Sequence, residues 1–436
     1  MLLNYIWLSF FLIAFVVALF RLFIHSDYGI FGHMIESAFA MAEKAVMDIA
    51  LPLAGIMVFW MGMMKVAENS GIVNVFARWM YPLFKYIFPE IPKGHPAAGS
   101  IMMNFSANFL GLDNSATPLG IKAMKELHEL NPLKDVASNS QIMFLVLNTS
   151  GLTLIPTSII ALRASNGSLS PADVFLPILL ATAVSTLVAL FVVSIYQRIN
   201  LFKAGFMIPL FLVVGVLAIL VFALMYFATC GPLEEMAYNF MHPFSESRTH
   251  LVESSKLGML SSFTGALILL AIIALFLGYA ALKKINTYES FIEGAKDGFQ
   301  TVIQIVPYLV AMLVGISFLR SSGAMDYMMD GLKWVIALFT ESTQFADALP
   351  TAFMRPLSAG GSRALMIESW DTHGIDSLVG HMTSVIQGST ETTFYTIAVY
   401  YGAVGIKKVR HTVTCGLLAD AAGITAAIIL SYIFFG

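Results

Sequence analysis

The chain has 436 residues, of which 58% are hydrophobic and only 12% are charged. Soluble domains carry roughly 25% charged residues, so this composition excludes an ordinary water-soluble protein and indicates an all-α polytopic membrane protein. The formal net charge of -3 offers no basic surface for nucleic acid, and two cysteines offer no disulfide framework.

Apolar segments follow one another along almost the whole chain. A spanning helix needs about 20 apolar residues, and this length predicts nine transmembrane helices. The predicted helices cover residues 1–23, 46–67, 138–164, 172–196, 204–230, 257–282, 299–320, 376–401 and 412–435. The first is expected to be a retained helix rather than a cleaved signal, because no basic segment precedes it.

Six further stretches are too short, too charged or too polar to span as simple helices. Interfacial helices are predicted at residues 35–44, 73–88, 287–297 and 325–339. Residues 97–124 and 349–369 mix apolar residues with Gly, Asn, Ser and Pro, which is typical of re-entrant hairpins. Such backbone survives at membrane depth only when it is buried in protein or faces a watery cavity.

The distribution of basic residues predicts the orientation. Most of the 24 Lys and Arg residues fall on the N-terminal side of the predicted spans. Because cytoplasmic loops carry this excess, the N-terminus is expected in the bacterial cytoplasm. The acidic loop that contains Glu234, Glu235, Glu246 and Glu253 is then expected outside the cell.

The chain also contains an internal repeat. Matching positions are Pro52 with Pro307, Met57 with Met312, Ser70-Gly71 with Ser322-Gly323, and Asn148 with Gln387. The predicted domains are a first repeat at 1–201, a linker helix with an external loop at 202–256, and a second repeat at 257–436. Because the linker helix belongs to neither half, the second repeat is expected to be inverted, as in secondary transporters. A duplicated scaffold without a substrate is the alternative.

A polar interruption lies inside the apolar segment 376–401. It supplies candidate substrate-binding residues Gln387, Ser389, Thr390, Glu391 and Thr392. A carboxylate at the centre of a spanning helix costs about 3 kcal/mol on insertion scales, so Glu391 is expected to face water or protein and to serve function. Gly388 is expected to let the helix unwind there. Alternatively, the hydroxyl groups bond back to helical carbonyls.

The equivalent segment of the first half supplies amide and hydroxyl groups but no charge. Its candidate substrate-binding residues are Asn148, Thr149, Ser150 and Thr153. Pro156 is expected to break the helix just beyond them. Because Asn148 and Gln387 occupy equivalent positions, we expect their amides to approach each other from the two halves.

The two predicted hairpins complete the candidate site. The first contributes Asn104, Asn108, Asn114 and Ser115, with Asp113, Asn114 and Ser115 placed to cap a helix beginning at Pro118. The second contributes Arg355, Ser358, Ser362 and Arg363 around a turn at Gly360-Gly361, a combination that favours an anion or carboxylate. The alternatives are that Asp113 only caps its helix and that Arg363 pairs structurally with Glu368 or Glu391.

These segments resemble a known family. Asn148-Thr149-Ser150 with Leu154-Ile155-Pro156-Thr157, and Arg355-Pro356-Leu357-Ser358 followed by Gly388-Ser389-Thr390-Glu391-Thr392-Thr393, are similar to bacterial spore maturation proteins A and B. Residues 1–201 resemble spore maturation protein A, and residues 257–436 resemble spore maturation protein B. Both parts are identified with the nucleoside-recognition, or Gate, family, which is also similar to the membrane part of ferrous iron transporter B and distantly to concentrative nucleoside transporters. The resemblance implies an inverted-repeat transporter fold.

The expected function is secondary transport of a small polar solute, such as a nucleoside or another metabolite, across the bacterial cytoplasmic membrane. The expected partners are this solute and the lipid bilayer, with no nucleic acid; a homo-oligomer stays open. No cofactor or metal is expected beyond H+ or Na+ as candidate coupling ions. Phosphate-loop, zinc-protease and serine-hydrolase motifs are missing from the sequence, so an enzyme is not expected. The alternative is a non-transporting partner of an envelope complex.

Overall fold

The computed structural model describes residues 2–72, 86–92, 94–109, 113–154, 156–200, 256–338 and 343–436, with a few single positions between these ranges. Within this part the chain is helical and forms no β-strand. The linker helix predicted at 204–230, the acidic loop after it and most of the interfacial helix predicted at 73–88 lie outside the described residues.

Eight α-helices are described in the first half. They are α1 (Leu2–His25), α2 (Ile30–Lys44), α3 (Leu51–Ser70), α4 (Pro96–Phe109), α5 (Asp113–Leu130), α6 (Asn139–Ser150), α7 (Thr157–Ser165) and α8 (Phe175–Gln197). A π-helical turn, Ala45–Ala50, joins α2 to α3 immediately before Pro52. Proline lacks the backbone N–H of a regular helical ladder, which accounts for an irregular turn at this point.

Eight more α-helices are described in the second half. They are α9 (Lys256–Leu282), α10 (Thr287–Ser321), α11 (Ala324–Ala337), α12 (Leu349–Met354), α13 (Ala359–His373), α14 (Leu378–Ser389), α15 (Thr393–Gly402) and α16 (Thr412–Phe435). A short 3₁₀ helix, Gln344–Ala348, precedes α12. The two halves therefore present a hairpin, a broken helix and a long apolar helix in the same order.

The apolar helices identify a multi-pass membrane protein. Five described helical stretches are long and apolar enough to cross a bilayer, namely Trp7–His25, Ile30–Ser70, Phe175–Gln197, Phe263–Leu282 and Thr412–Phe435. The end of α10 and α11 form a sixth candidate with a bend of 78° between them. Only 11% of the spanning window of the first stretch is buried, so its apolar side chains face outward, as lipid contact requires. The count of nine spans stays a prediction.

Two boundaries differ from those expected. Residues 35–44 and 287–297 were assigned to separate interfacial helices, but the structure continues each of them directly into the following span. In α10 the Asn286 side chain caps the first turn by accepting the Glu289 N–H at 3.2 Å, and the helix then runs unbroken through Pro307. The charged residues made the sequence look discontinuous, whereas a helix can extend beyond the apolar layer.

Equivalent local structures support the internal repeat. Helices α6 and α14 each contain 12 residues and begin at equivalent N-caps, Ser138 and Ser377, whose side chains accept backbone N–H groups of the first turn. Gly71 and Gly323, which follow α3 and α10, both adopt positive φ angles, 79° and 83°. The inversion of the second half stays a prediction, because the linker lies outside the described residues.

Equivalent helices pack against each other across the molecule. Helix α3 packs along α10, and α8 packs along α16. Gly294 and Gly298 let α10 approach α3 closely, since a Cβ at Gly294 would collide with the backbone carbonyl of Met61. This spacing of two glycines on one helix is a common way for spanning helices to pack closely. The two halves therefore form one interlocked body rather than two separate bundles.

Candidate functional site

The two broken helices meet at their breaks. Helix α6 ends at Gly151, which has φ = +56°, and α14 ends at Thr390 in an extended conformation. The backbone N–H of Glu391 donates to the carbonyl of Thr149 at 2.8 Å, so the second break satisfies a carbonyl that the end of α6 leaves free. A Cβ at Gly151 would lie 3.1 Å from Cγ of Glu391, which shows how closely the two segments pass.

Each break is also held by the hairpin of its own half. The Leu154 N–H donates to the Phe109 carbonyl at 2.8 Å, at the end of α4. In the second half the Phe394 N–H donates to the Pro356 carbonyl at 3.1 Å, in the turn between α12 and α13. The same backbone contact thus recurs in both repeats. The hairpins and the breaks form one assembly around the point where the two halves cross.

The first half presents a cluster of amides. Asn148 donates from Nδ2 to Oδ1 of Asn104 at 2.5 Å and accepts at Oδ1 from Asn108 at 3.0 Å. Asn104 also donates to the Ala116 carbonyl at 2.7 Å, and the Tyr400 hydroxyl donates to Asn148 Oδ1 at 3.5 Å. In the second half, Gln387 accepts a hydrogen bond from the Ser362 hydroxyl. Each amide therefore bonds to its own hairpin, and the expected pairing of Asn148 with Gln387 is not among the described contacts.

The second half presents a charged cluster instead. Arg355 donates from Nε to the Thr390 carbonyl at 2.7 Å, and its Nη2 donates to the same oxygen and lies 3.5 Å from Oε2 of Glu391. The Arg355 side chain is 6% exposed, whereas that of Glu391 is 50% exposed. The guanidinium thus neutralises the end of α14 from inside the protein, while Glu391 stands at the edge of the assembly.

Most hydroxyl groups at the breaks bond back to their own helices. This was the alternative explanation for these side chains, and it holds for Thr149, Ser150, Thr153 and Ser389, each of which donates to a nearby backbone carbonyl. The hydroxyls of Thr390 and Thr392 differ. Both are buried, and neither makes a hydrogen bond of ordinary geometry within the described part of the chain, although the Thr390 hydroxyl lies within hydrogen-bonding reach of the Asp420 carboxyl.

Asp420 is a site residue that the sequence reasoning missed. This residue of α16 is 1% exposed, and its Oδ2 accepts a hydrogen bond from Thr393 at 2.7 Å. Its Oδ1 has no hydrogen-bond partner among the described residues. A single carboxylate in a spanning helix was the available signal, because such a group is costly unless it faces polar surroundings.

The helix break expected at Gly388 and the turn expected at Gly360-Gly361 are not found at those glycines. Gly388 is helical rather than unwound, and it packs against the side chain of Ile178; the break occurs at Thr390–Thr392 because the Arg355 side chain holds the Thr390 carbonyl there. Gly360 and Gly361 belong to the first turn of α13, and Ser358 caps that helix by accepting the Gly361 N–H at 3.1 Å.

The first hairpin also needs correction, whereas the pairing of Arg363 stays a prediction. Helix α5 begins at Asp113, so Pro118 lies inside it rather than at its start. Asn114 and Ser115 fall in its first turn, but their side chains lie outside the described parts. Glu368 forms an ion pair with Arg320, and Glu391 pairs with Arg355; Arg363 lies in α13. The second hairpin thus directs Arg355 at the break.

A second buried charge cluster joins the two halves away from the breaks. The Arg163 Nη2 lies 3.1 Å from Oδ1 of Asp173 and 2.8 Å from Oδ1 of Asp376, and Nε2 of His381 lies 2.8 Å from Oδ2 of Asp173. The two carboxylates and the imidazole are close enough together to hold a metal ion. However, the Arg163 guanidinium already lies among them and balances their charge, so this cluster is an ion-pair network.

One cavity among the described residues lies apart from the breaks. It has a volume of about 310 Å³ and is lined by residues that include Glu90, Asn139, Ser140 and Gln197, at the start of α6 and the end of α8. The cavity therefore lies at the opposite end of α6 from the break at Gly151.

The comparisons with known proteins agree with this architecture. The family model described as nucleoside recognition, or Gate, matches residues 50–166 and 302–407. The chain belongs to the Gate family. Both matched segments contain a hairpin and a broken helix, so the part of the chain that defines a Gate protein is the part that forms the crossing. Asp420 lies beyond the second matched segment.

Two proteins of Bacillus subtilis (strain 168) each resemble part of the chain. Spore maturation protein A is 42% identical over 189 residues, which cover 43% of this chain and 92% of the relative. Spore maturation protein B is 46% identical over 165 residues, which cover 38% of this chain and 91% of the relative. The chain is thus similar to a fusion of two separate proteins. No solved structure matches it significantly.

Proposed function

We propose that this Gate-family protein is a secondary transporter that moves a small polar solute, nucleoside-like or another metabolite, across the bacterial cytoplasmic membrane by alternating access. The observation that carries the proposal is the backbone contact between the two breaks, from Glu391 N–H to the Thr149 carbonyl. Broken helices that meet from two repeats place helix ends and polar side chains at one point, which is the arrangement of known solute sites in transporters.

The first and second halves present different chemical groups where the two breaks meet, and these groups suit different parts of a solute. Asn104, Asn108 and Asn148 present amides that can donate and accept hydrogen bonds, as recognition of a nucleobase or a sugar hydroxyl requires. Arg355 and Glu391 present charges beside them. The family description, nucleoside recognition, makes uridine a reasonable first probe.

The test is uptake of radiolabelled uridine into proteoliposomes that contain the full chain. Uptake through the wild-type protein is expected, and Glu391→Gln should lower it by about tenfold or more, since a hydrogen bond to a charged group contributes about 1.5–3 kcal/mol. Glu129→Gln, which neutralises an exposed carboxylate at the end of α5, is the matched control and should leave uptake unchanged. Equal uptake by the Glu391 variant would remove that residue from the mechanism.

A non-transporting role is the second candidate. The position of the 310 Å³ cavity, at the end of α6 that is far from the break, favours it. In that case, a panel of nucleosides and other polar metabolites would leave the melting temperature of the purified protein unchanged. A stable envelope complex would also co-purify with the chain. A single solute that raises the melting temperature would decide for transport.

A further inference from the structure

Two carboxylates lie near the inner side of the second break, those of Glu391 and Asp420. Arg355 donates to the Thr390 carbonyl and lies 3.5 Å from the Glu391 carboxylate. Asp420 is buried and lies within electrostatic reach of both Arg355 and Glu391. Burial makes the charged form of Asp420 costly, so a further cation beside it would be stabilising.

Three buried side-chain oxygens near the second break make no hydrogen bond of ordinary geometry within the described part of the chain, although the Thr390 hydroxyl still lies within hydrogen-bonding reach of the Asp420 carboxyl. They are Oδ1 of Asp420 and the hydroxyl oxygens of Thr390 and Thr392, whose residues are 1%, 2% and 2% exposed. Thr392 is the N-cap of α15, yet its side chain does not cap that helix. Threonine at this position usually accepts a backbone N–H, so its unused hydroxyl is a departure from ordinary helix chemistry.

The surroundings of Asp420 are neutral apart from Arg355 and Glu391. Helix α8 presents Ser185, whose hydroxyl donates to the Ala419 carbonyl at 3.0 Å, and α6 presents Thr149 near Gly416. Gly416 and Gly423 let α16 pass closely by Thr393 and Thr390. This close approach suits a small ion rather than an organic solute.

We propose that Asp420, Thr390 and Thr392 form a binding site for one Na+ ion. Carboxylate and hydroxyl oxygens are ligands for hard cations, and one carboxylate with two neutral hydroxyls matches a single positive charge. The site lies at the C-terminal end of α14, and such half-helix ends coordinate Na+ in transporters with broken helices. Bound Na+ would hold the break Thr390–Thr392 against α16. Because Glu391 lies within this break, Na+ binding would also fix the position of the Glu391 side chain.

This inference deepens the proposed transport function, and it can be tested without any solute. The full chain in detergent would be titrated with NaCl against choline chloride at constant ionic strength and fixed near-neutral pH. A saturable rise in melting temperature is expected, together with binding of one radioactive Na+ per chain. Asp420→Asn should abolish both signals, whereas Asp330→Asn, an exposed carboxylate of α11, should retain them.

A second variant guards against misfolding. Thr390→Val keeps the shape of the side chain and should weaken Na+ binding by roughly tenfold or more, since loss of even an outer-shell partner costs roughly 10–100-fold in affinity. Absence of Na+ binding by the wild-type chain, an equal response to K+, or a stability that follows pH but not Na+ would overturn the proposal. Failure of solute uptake with intact Na+ binding would count against the transport proposal alone.

Discussion

Replacing Arg163 by methionine would remove the charge at the centre of the buried ion-pair network between the halves. The Arg163 side chain is fully buried, and its guanidinium contacts Asp173, Asp376 and the Ile375 carbonyl, the last at 3.0 Å. Arg163 belongs to the end of α7, whereas Asp376 lies just before α14. The network therefore ties the first broken helix to the start of the second.

The magnitude follows from what the substitution leaves behind. Removing one partner of a buried ion pair costs about 3–5 kcal/mol, because the other charge stays buried without compensation. The Asp376 side chain is 25% exposed and regains water, and Asp173 keeps its contact with His381 at 2.8 Å. We therefore expect Arg163→Met to lower the free energy of unfolding by about 3 kcal/mol, the lower end of that range.

Unfolding of the purified protein in mixed detergent and SDS micelles would measure this loss. Arg198→Met, which removes an exposed arginine after α8, is the control and should change the free energy by less than about 0.5 kcal/mol. Adding Asp173→Asn to Arg163→Met should recover part of the loss, because it removes the stranded charge. A loss below about 1 kcal/mol for Arg163→Met would refute the reasoning, since it would mean that water reaches the network.

Two further predictions concern the packing of the halves. Gly294→Ala should destabilise the protein by about 1–3 kcal/mol in thermal unfolding, because its Cβ would meet the backbone of α3, whereas Gly278→Ala, where the added Cβ meets nothing within 4 Å, should not. Asn148→Leu should cost about 1–3 kcal/mol, because it removes buried hydrogen-bond partners of Asn104 and Asn108. Equal melting temperatures within the glycine pair, or a leucine variant as stable as the wild type, would contradict these expectations.

The positions of the breaks were predictable because the bilayer constrains backbone strongly. A polar run such as Ser389–Glu391 inside an apolar segment has no stable place against lipid, so it indicates an interruption wherever it occurs. Pro156 and the hairpin composition act in the same way. The repeat was visible for a related reason: Asn148 and Gln387 carry similar chemistry at equivalent points, and the structure places equivalent N-caps, Ser138 and Ser377, ahead of them.

The partners of these residues were not predictable. Local sequence cannot show that Arg355 serves the Thr390 carbonyl, or that Arg163 lies among acids far away in the chain. Gly388 was expected to unwind α14, but its lack of a Cβ instead admits Ile178. A glycine in the sequence indicates either a close packing contact or an unusual backbone conformation, and only the tertiary structure shows which of the two applies. Asp420 was overlooked because one carboxylate hardly lowers the hydropathy of α16.

The two repeats differ in charge at the crossing, and this difference bears on mechanism. The first half lines the crossing with the amides of Asn104, Asn108 and Asn148. The last helix of this half, α8, contains no acidic residue. The second half supplies Arg355, Glu391 and Asp420. A duplicated scaffold has no need for this asymmetry, since a buried charge costs stability in either half. The asymmetry fits the proposed transporter, because neutral amides suit a polar solute and a buried carboxylate suits a cation.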